Sequence, residues 1–86
     1  MSVKLKITLT NGDVTEQPIT PAIEYAFEQY SGKGFWKAIM EDQKQSDVYW
    51  IAWKALFKAG FEVKPFGEKW LDTVESVEVV TDSPNA

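Results

Sequence analysis

The sequence predicts a single small α+β domain, with an N-terminal β-hairpin followed by three to four short helices. Three observations carry this prediction: strict alternation of apolar and polar residues near the N-terminus, an Asn-Gly pair directly after it, and later segments whose apolar residues recur at helical spacing. With 86 residues, the chain can build one hydrophobic core and no second one. We expect residues 1–80 to form the domain and residues 81–86 to be a disordered tail.

The hairpin is the clearest local feature. Apolar residues at positions 3, 5, 7 and 9 alternate with lysine and threonine, which is typical of a strand with one buried face. Asn11 and Gly12 both tolerate positive φ, so they favour a tight turn into a second strand over residues 14–19. Pro18 confines that strand to an edge of the sheet or ends it.

Two helices are predicted next. Thr20 and Pro21 form an N-cap and first-turn pair, and helical spacing then continues to Ser31-Gly32. A short second helix follows residues 32–34 and ends in the polar run of residues 41–45. We expect one side of this helix to carry its apolar residues, which are Phe35, Trp36, Ile39 and Met40.

The third predicted helix, residues 47–60, is apolar around most of its circumference. Ser46 is expected to cap it and Gly60 to end it. A stripe of small residues contains Val48, Ala52, Ala55 and Ala59, and a bulky stripe contains Tyr49, Trp53, Leu56 and Phe57. If the small stripe packs on the sheet, Trp50 and Phe57 point away and need another cover.

The C-terminal region predicts one more short helix within residues 66–74, with Trp70, Leu71 and Val74 as its apolar positions. In residues 74–80 the valines at 77, 79 and 80 lie between acids, and this pattern fits either an edge strand or an irregular tail.

Composition excludes several classes of function. The chain has no cysteine, histidine or arginine. Without cysteine, disulfides and thiolate metal sites are excluded. Without histidine and arginine, the chain lacks the common proton-transfer side chain and the common phosphate-binding side chain. Net charge is −4, and the excess acid lies in the last twenty residues, so binding to nucleic acid is not expected. No secretion signal or membrane span is visible, and we expect a soluble intracellular protein.

Enzymatic chemistry is not expected. Glu24 with Glu28, and Asp72 with Glu75, could each share a helix face, but both pairs lie among other surface charges. We therefore assign no catalytic residue, no metal, no cofactor and no small-molecule substrate.

The four tryptophans are many for so short a chain. Tryptophan is favoured both in cores and at the centres of interfaces, and the sequence leaves both locations open for each of them. The candidate protein-interaction residues are Trp36, Tyr49, Trp50, Trp53, Phe57 and Trp70.

Residues 47–80 combine a Trp-rich helix ending in Ala-Gly, an extended Pro-Phe step and a short W-L-x-x-V helix running into acids. This order resembles the small tail assembly chaperones of long-tailed bacteriophages and covers about two fifths of the chain. The resemblance implies a non-enzymatic protein of the host cytoplasm that is absent from the mature virion. It also implies that the protein binds the apolar helical tape-measure protein before the tail tube polymerises. The major tail protein is a further implied partner, and self-association is implied as well.

Two other classes stay open. A small acidic inhibitor or decoy would use the last twenty residues to mimic nucleic acid, and its affinity would collapse with salt. A structural completion protein would share the composition but would remain in finished particles.

Overall fold

A three-stranded antiparallel sheet lies against a layer of helices in the computed structural model, which describes residues 2–42 and 44–82. The strand order is β2-β1-β3, so β1 is central. The predicted α+β class is confirmed. In chain order the elements are β1 (Ser2–Leu9), β2 (Val14–Pro18), α1 (Pro21–Ser31), α2 (Phe35–Lys37), a π-helical turn (Ala38–Asp42), α3 (Gln45–Lys58), α4 (Glu68–Leu71) and β3 (Val74–Asp82).

The C-terminal segment is an edge strand along its whole described length. β3 pairs with β1 from Val74 to Asp82, so Val74 belongs to the sheet and not to the fourth helix, which ends at Leu71. Thr81 lies opposite Val3 in the ladder, and the prediction of disorder from residue 81 is therefore wrong for the first two residues of that tail. The remaining predicted tail, residues 83–86, lies outside the described residues.

One face of the sheet is buried, as the alternation predicts. Leu5 and Ile7 of β1 are completely buried, while Lys6 between them is exposed on the opposite face, across from Glu16 and Glu78. Burying each of these aliphatic side chains contributes about 1.5 to 3 kcal/mol. The buried face therefore fixes the strand register, since a slip of one residue would expose it.

Residues at the helix ends explain where α1 and α3 begin and end. Thr20 caps α1 by accepting a hydrogen bond from the Ile23 N–H, at 3.4 Å. α3 begins at Gln45 with Lys44 at the N-cap position, so the prediction that Ser46 caps this helix is wrong. Ser46 lies inside the first turn, because the Lys44 carbonyl already accepts from the next turn. Gly60 follows α3 at φ +94°, as predicted.

The second helix does not keep its apolar residues on one side. Phe35 and Ile39 are buried, whereas Trp36 and Met40 are exposed. Phe35 and Ile39 are four residues apart and share the sector of the helix that faces the core. Trp36 and Met40 form a second such pair about 100° further round the axis, and that sector faces solvent.

An ion pair joins the connection after α1 to the start of α3. Lys33 Nζ donates to a carboxylate oxygen of Asp47 at 2.5 Å, and Asp47 is buried in the first turn of α3. This hydrogen bond, with attraction to the Asp47 charge, raises the pKa of Lys33 above its ordinary value of 10.5. The Lys33 charge also offsets the free-energy cost of burying the Asp47 carboxylate, which would otherwise lie buried without a partner.

This pair gives the stability a defined pH dependence. Because the folded-state pKa of Lys33 is raised, its contribution is present below pH 10.5 and is lost as the pH rises through the folded-state pKa. We expect the free energy of unfolding of wild-type protein to exceed that of Lys33→Met at neutral pH, and the gap to shrink above pH 10.5. Urea titrations of both proteins across this range measure the gap. A gap that stays constant would contradict the assignment.

Candidate functional site

The structure divides the six predicted interaction residues into buried and surface positions. Trp50 is only 7% exposed. Its ring stacks on Tyr30 of α1 with centroids 4.5 Å apart and also contacts Phe27 at 6.1 Å. The cover that the sequence required for Trp50 is therefore α1, so this indole belongs to the core and not to an interface.

Trp70 is also a core residue, with 2% of its surface exposed. α4 directs it inward, where it lines a small cavity of about 200 Å³ together with Leu9 and Leu56. Its outer edge meets Phe66, with ring centroids 6.0 Å apart. Neither Trp50 nor Trp70 offers a surface to another molecule.

Three of the other candidates lie on α3 and keep part of their surface exposed. Tyr49, Trp53 and Phe57 follow each other at four-residue spacing, which places them in a row along a helix. We call this row the aromatic ridge. Trp53 and Phe57 stack almost in parallel, with centroids 5.8 Å apart and planes 6° apart. Phe57 is 53% exposed, and the other two are half-buried.

The segment between α3 and α4 fixes the orientation of Trp53. Its indole Nε1 donates a hydrogen bond to the Lys64 carbonyl at 2.8 Å. Phe66 packs edge-on against the same ring at 6.1 Å. Because the only polar atom of the indole is already bonded, the exposed part of Trp53 is an apolar ring surface held in one orientation.

A lysine lies over the ridge. Lys54 Nζ is 5.8 Å from the centre of the Trp53 ring and 5.3 Å from that of Phe57. Both distances fall within the range of cation–π attraction. Lys54 follows Trp53 in the chain and lies about 100° around the helix from it, and helical angles alone could not show that its ammonium reaches back over the rings.

Trp36 is a surface residue away from the ridge. It is 44% exposed, and its ring makes an edge contact with Phe35 at 5.4 Å. Within the described residues, no ring contact connects it to the aromatic ridge. Phe66, which sequence reasoning missed, packs beside Trp53 where Trp36 does not. The Pro-Phe step before α4 was the one signal in the sequence that pointed to Phe66.

Two further searches of the described residues bear on function. No group of three or more Asp or Glu side chains in residues 2–42 and 44–82 could hold a metal ion. None of the helices in that part of the chain has the length and apolar character needed to cross a membrane.

Comparison of the chain with protein-family models, with curated proteins and with solved structures gives no match. The resemblance to tail assembly chaperones therefore remains a prediction from residues 47–80, and the structure adds the surface geometry to it.

Proposed function

We propose that this protein is a non-enzymatic tail assembly chaperone of a long-tailed bacteriophage. It binds the apolar helical tape-measure protein and keeps it soluble in the host cytoplasm until tail-tube subunits polymerise, and it does not enter the finished virion. The observation that carries the proposal is the aromatic ridge, in which a half-exposed phenylalanine stacks on a fixed tryptophan.

The shape of the ridge suits a helical client. Tyr49 to Phe57 spans eight residues, which is about 12 Å along a helix axis. A client helix presents apolar side chains at the same repeat of three to four residues, so two helices can pack along each other over two turns. The ridge residues lose little conformational entropy on binding, because Trp53 is already held by Lys64 and Phe66.

The rest of the surface suits a protein that must keep an apolar client in solution. The chain carries thirteen acids against nine lysines, and like charge between loaded complexes opposes their aggregation. The sheet presents its polar face outward, with Lys6, Glu16 and Glu78 exposed there. The charged sheet face and the aromatic ridge thus lie on different elements of the domain.

Coexpression tests the proposal. We expect the tape-measure protein of the same phage to be mostly insoluble when expressed alone and mostly soluble when coexpressed with this chain. A Tyr49→Ser/Phe57→Ser double variant should lose this effect, because it removes the two outer rings and leaves Trp53 bonded to Lys64. The soluble fraction of the tape-measure protein is the measurement.

Tyr25→Ser is the matched control, since Tyr25 is an aromatic residue on α1 that is 66% exposed and has no ring contact within the described residues. It should solubilise the client as well as wild type does. A tape-measure protein that stays insoluble in the presence of wild-type chain would contradict the proposal.

A further inference from the structure

The chain segment that contains most of the aromatic ridge has the opposite net charge from the rest of the protein. Residues 53–69 contain four lysines and two acids, whereas the remainder of the chain contains five lysines and eleven acids. A net positive patch therefore lies within an acidic protein. The lysines of the patch are Lys54, Lys58, Lys64 and Lys69.

None of these four lysines has a carboxylate within 4 Å among the described residues, where Lys33–Asp47 is the ion pair found. Lys64 and Lys69 instead line an open groove of about 420 Å³ with Pro65, Gly67 and Glu68, so the groove holds two cations and one carboxylate. Their charges are available to a partner, and an anionic group placed there would meet no carboxylate already bound to them.

The lysines lie on both sides of the ridge. On α3, Lys54 is about 100° around the helix axis from Trp53, and Lys58 is one turn further along the same side. Lys64 belongs to the segment after α3, where its carbonyl accepts the Trp53 indole N–H, and it lines a cavity with Leu56, which lies about 160° around α3 from Lys54. An apolar stripe with cations on both flanks is the complement of a helix whose apolar stripe has carboxylates on both flanks.

We propose that the client segment recognised at this surface is an amphipathic helix with Asp or Glu residues on both sides of its apolar stripe. This inference rests on the proposed function and adds the chemistry of the partner. Lys54 is the residue that mainly recognises the client's carboxylates, because its ammonium already lies over the ridge. The ammonium can contact a client carboxylate while the aliphatic part of the side chain covers ring surface.

Two synthetic peptides test the inference. Both are capped helices with the same leucine stripe; one has glutamate at all flanking positions and the other has lysine. Binding to the full chain is measured by fluorescence anisotropy at about 20 mM and about 300 mM salt. We expect the glutamate peptide to bind at least about tenfold more tightly at low salt, and the preference to fall to about threefold or less at high salt.

Lys54→Gln should reduce the low-salt preference to about threefold or less while both peptides still bind, because the ridge itself is retained. Lys6→Gln is the control, since Lys6 is an exposed lysine on the opposite face of the sheet, and it should keep the wild-type preference. Equal affinity of wild type for the two peptides would overturn the charge inference and leave the apolar surface intact. Failure of both peptides to bind would overturn the proposed function as well.

Discussion

Replacing Trp50 with alanine is expected to lower the free energy of unfolding by about 3 to 5 kcal/mol. The indole is buried between α1 and α3, where it stacks on Tyr30 and contacts Phe27. Removing a buried tryptophan leaves a large cavity and costs about 3 to 5 kcal/mol. A domain of 86 residues has a total stability of about 4 to 13 kcal/mol, so this single change removes a large part of it.

The measurement is urea unfolding followed by circular dichroism, with Trp36→Ala as the matched control. The same atoms are deleted at Trp36, but that side chain is 44% exposed and has one ring contact. Its loss should cost no more than about 1 kcal/mol. Similar losses for the two variants would contradict the division of the tryptophans into core and surface.

Much of the fold could be predicted from local sequence. The hairpin was visible because alternation in β1 and the Asn11-Gly12 pair act over a few residues and agree with each other. The start of α1 was visible for the same reason, since Thr20 caps the helix through its own side chain. The third helix was found with its end at Gly60, where φ is positive.

The missed features depend on contacts between distant residues. Helical angles placed Trp50 away from the sheet, but they could not show that α1 would cross α3 and cover it with Tyr30. Residues 74–82 read equally well as a strand or a tail, and pairing with β1, more than sixty residues earlier, decided between them. The exposure of Trp36 likewise depends on which side of the second helix the core covers, and tertiary packing decides that.

The candidate site shows the same division. Tyr49, Trp53 and Phe57 were named from the sequence, because a stripe at four-residue spacing is local information. The contributions of Lys54 and Phe66 became visible only in the folded chain, where one lies over the rings and the other packs against Trp53.

Replacing Phe57 with serine is expected to abolish most client binding without unfolding the protein. The ring is 53% exposed, so its removal leaves no core cavity and should change the free energy of unfolding by less than about 1 kcal/mol. It also removes the outer partner of the Trp53 stack and the nearer of the two rings beneath Lys54. Aromatic residues at interface centres commonly contribute 2 kcal/mol or more, so the affinity should fall at least about tenfold.

The most direct test of the aromatic ridge as the client surface is the affinity of the glutamate-flanked helical peptide for three proteins: wild type, Phe57→Ser and Tyr25→Ser. We predict binding that is weaker by at least about tenfold for Phe57→Ser and unchanged for Tyr25→Ser, with all three proteins equally folded. If folded Phe57→Ser binds the peptide as tightly as wild type does, the ridge is not the client surface and the account is wrong.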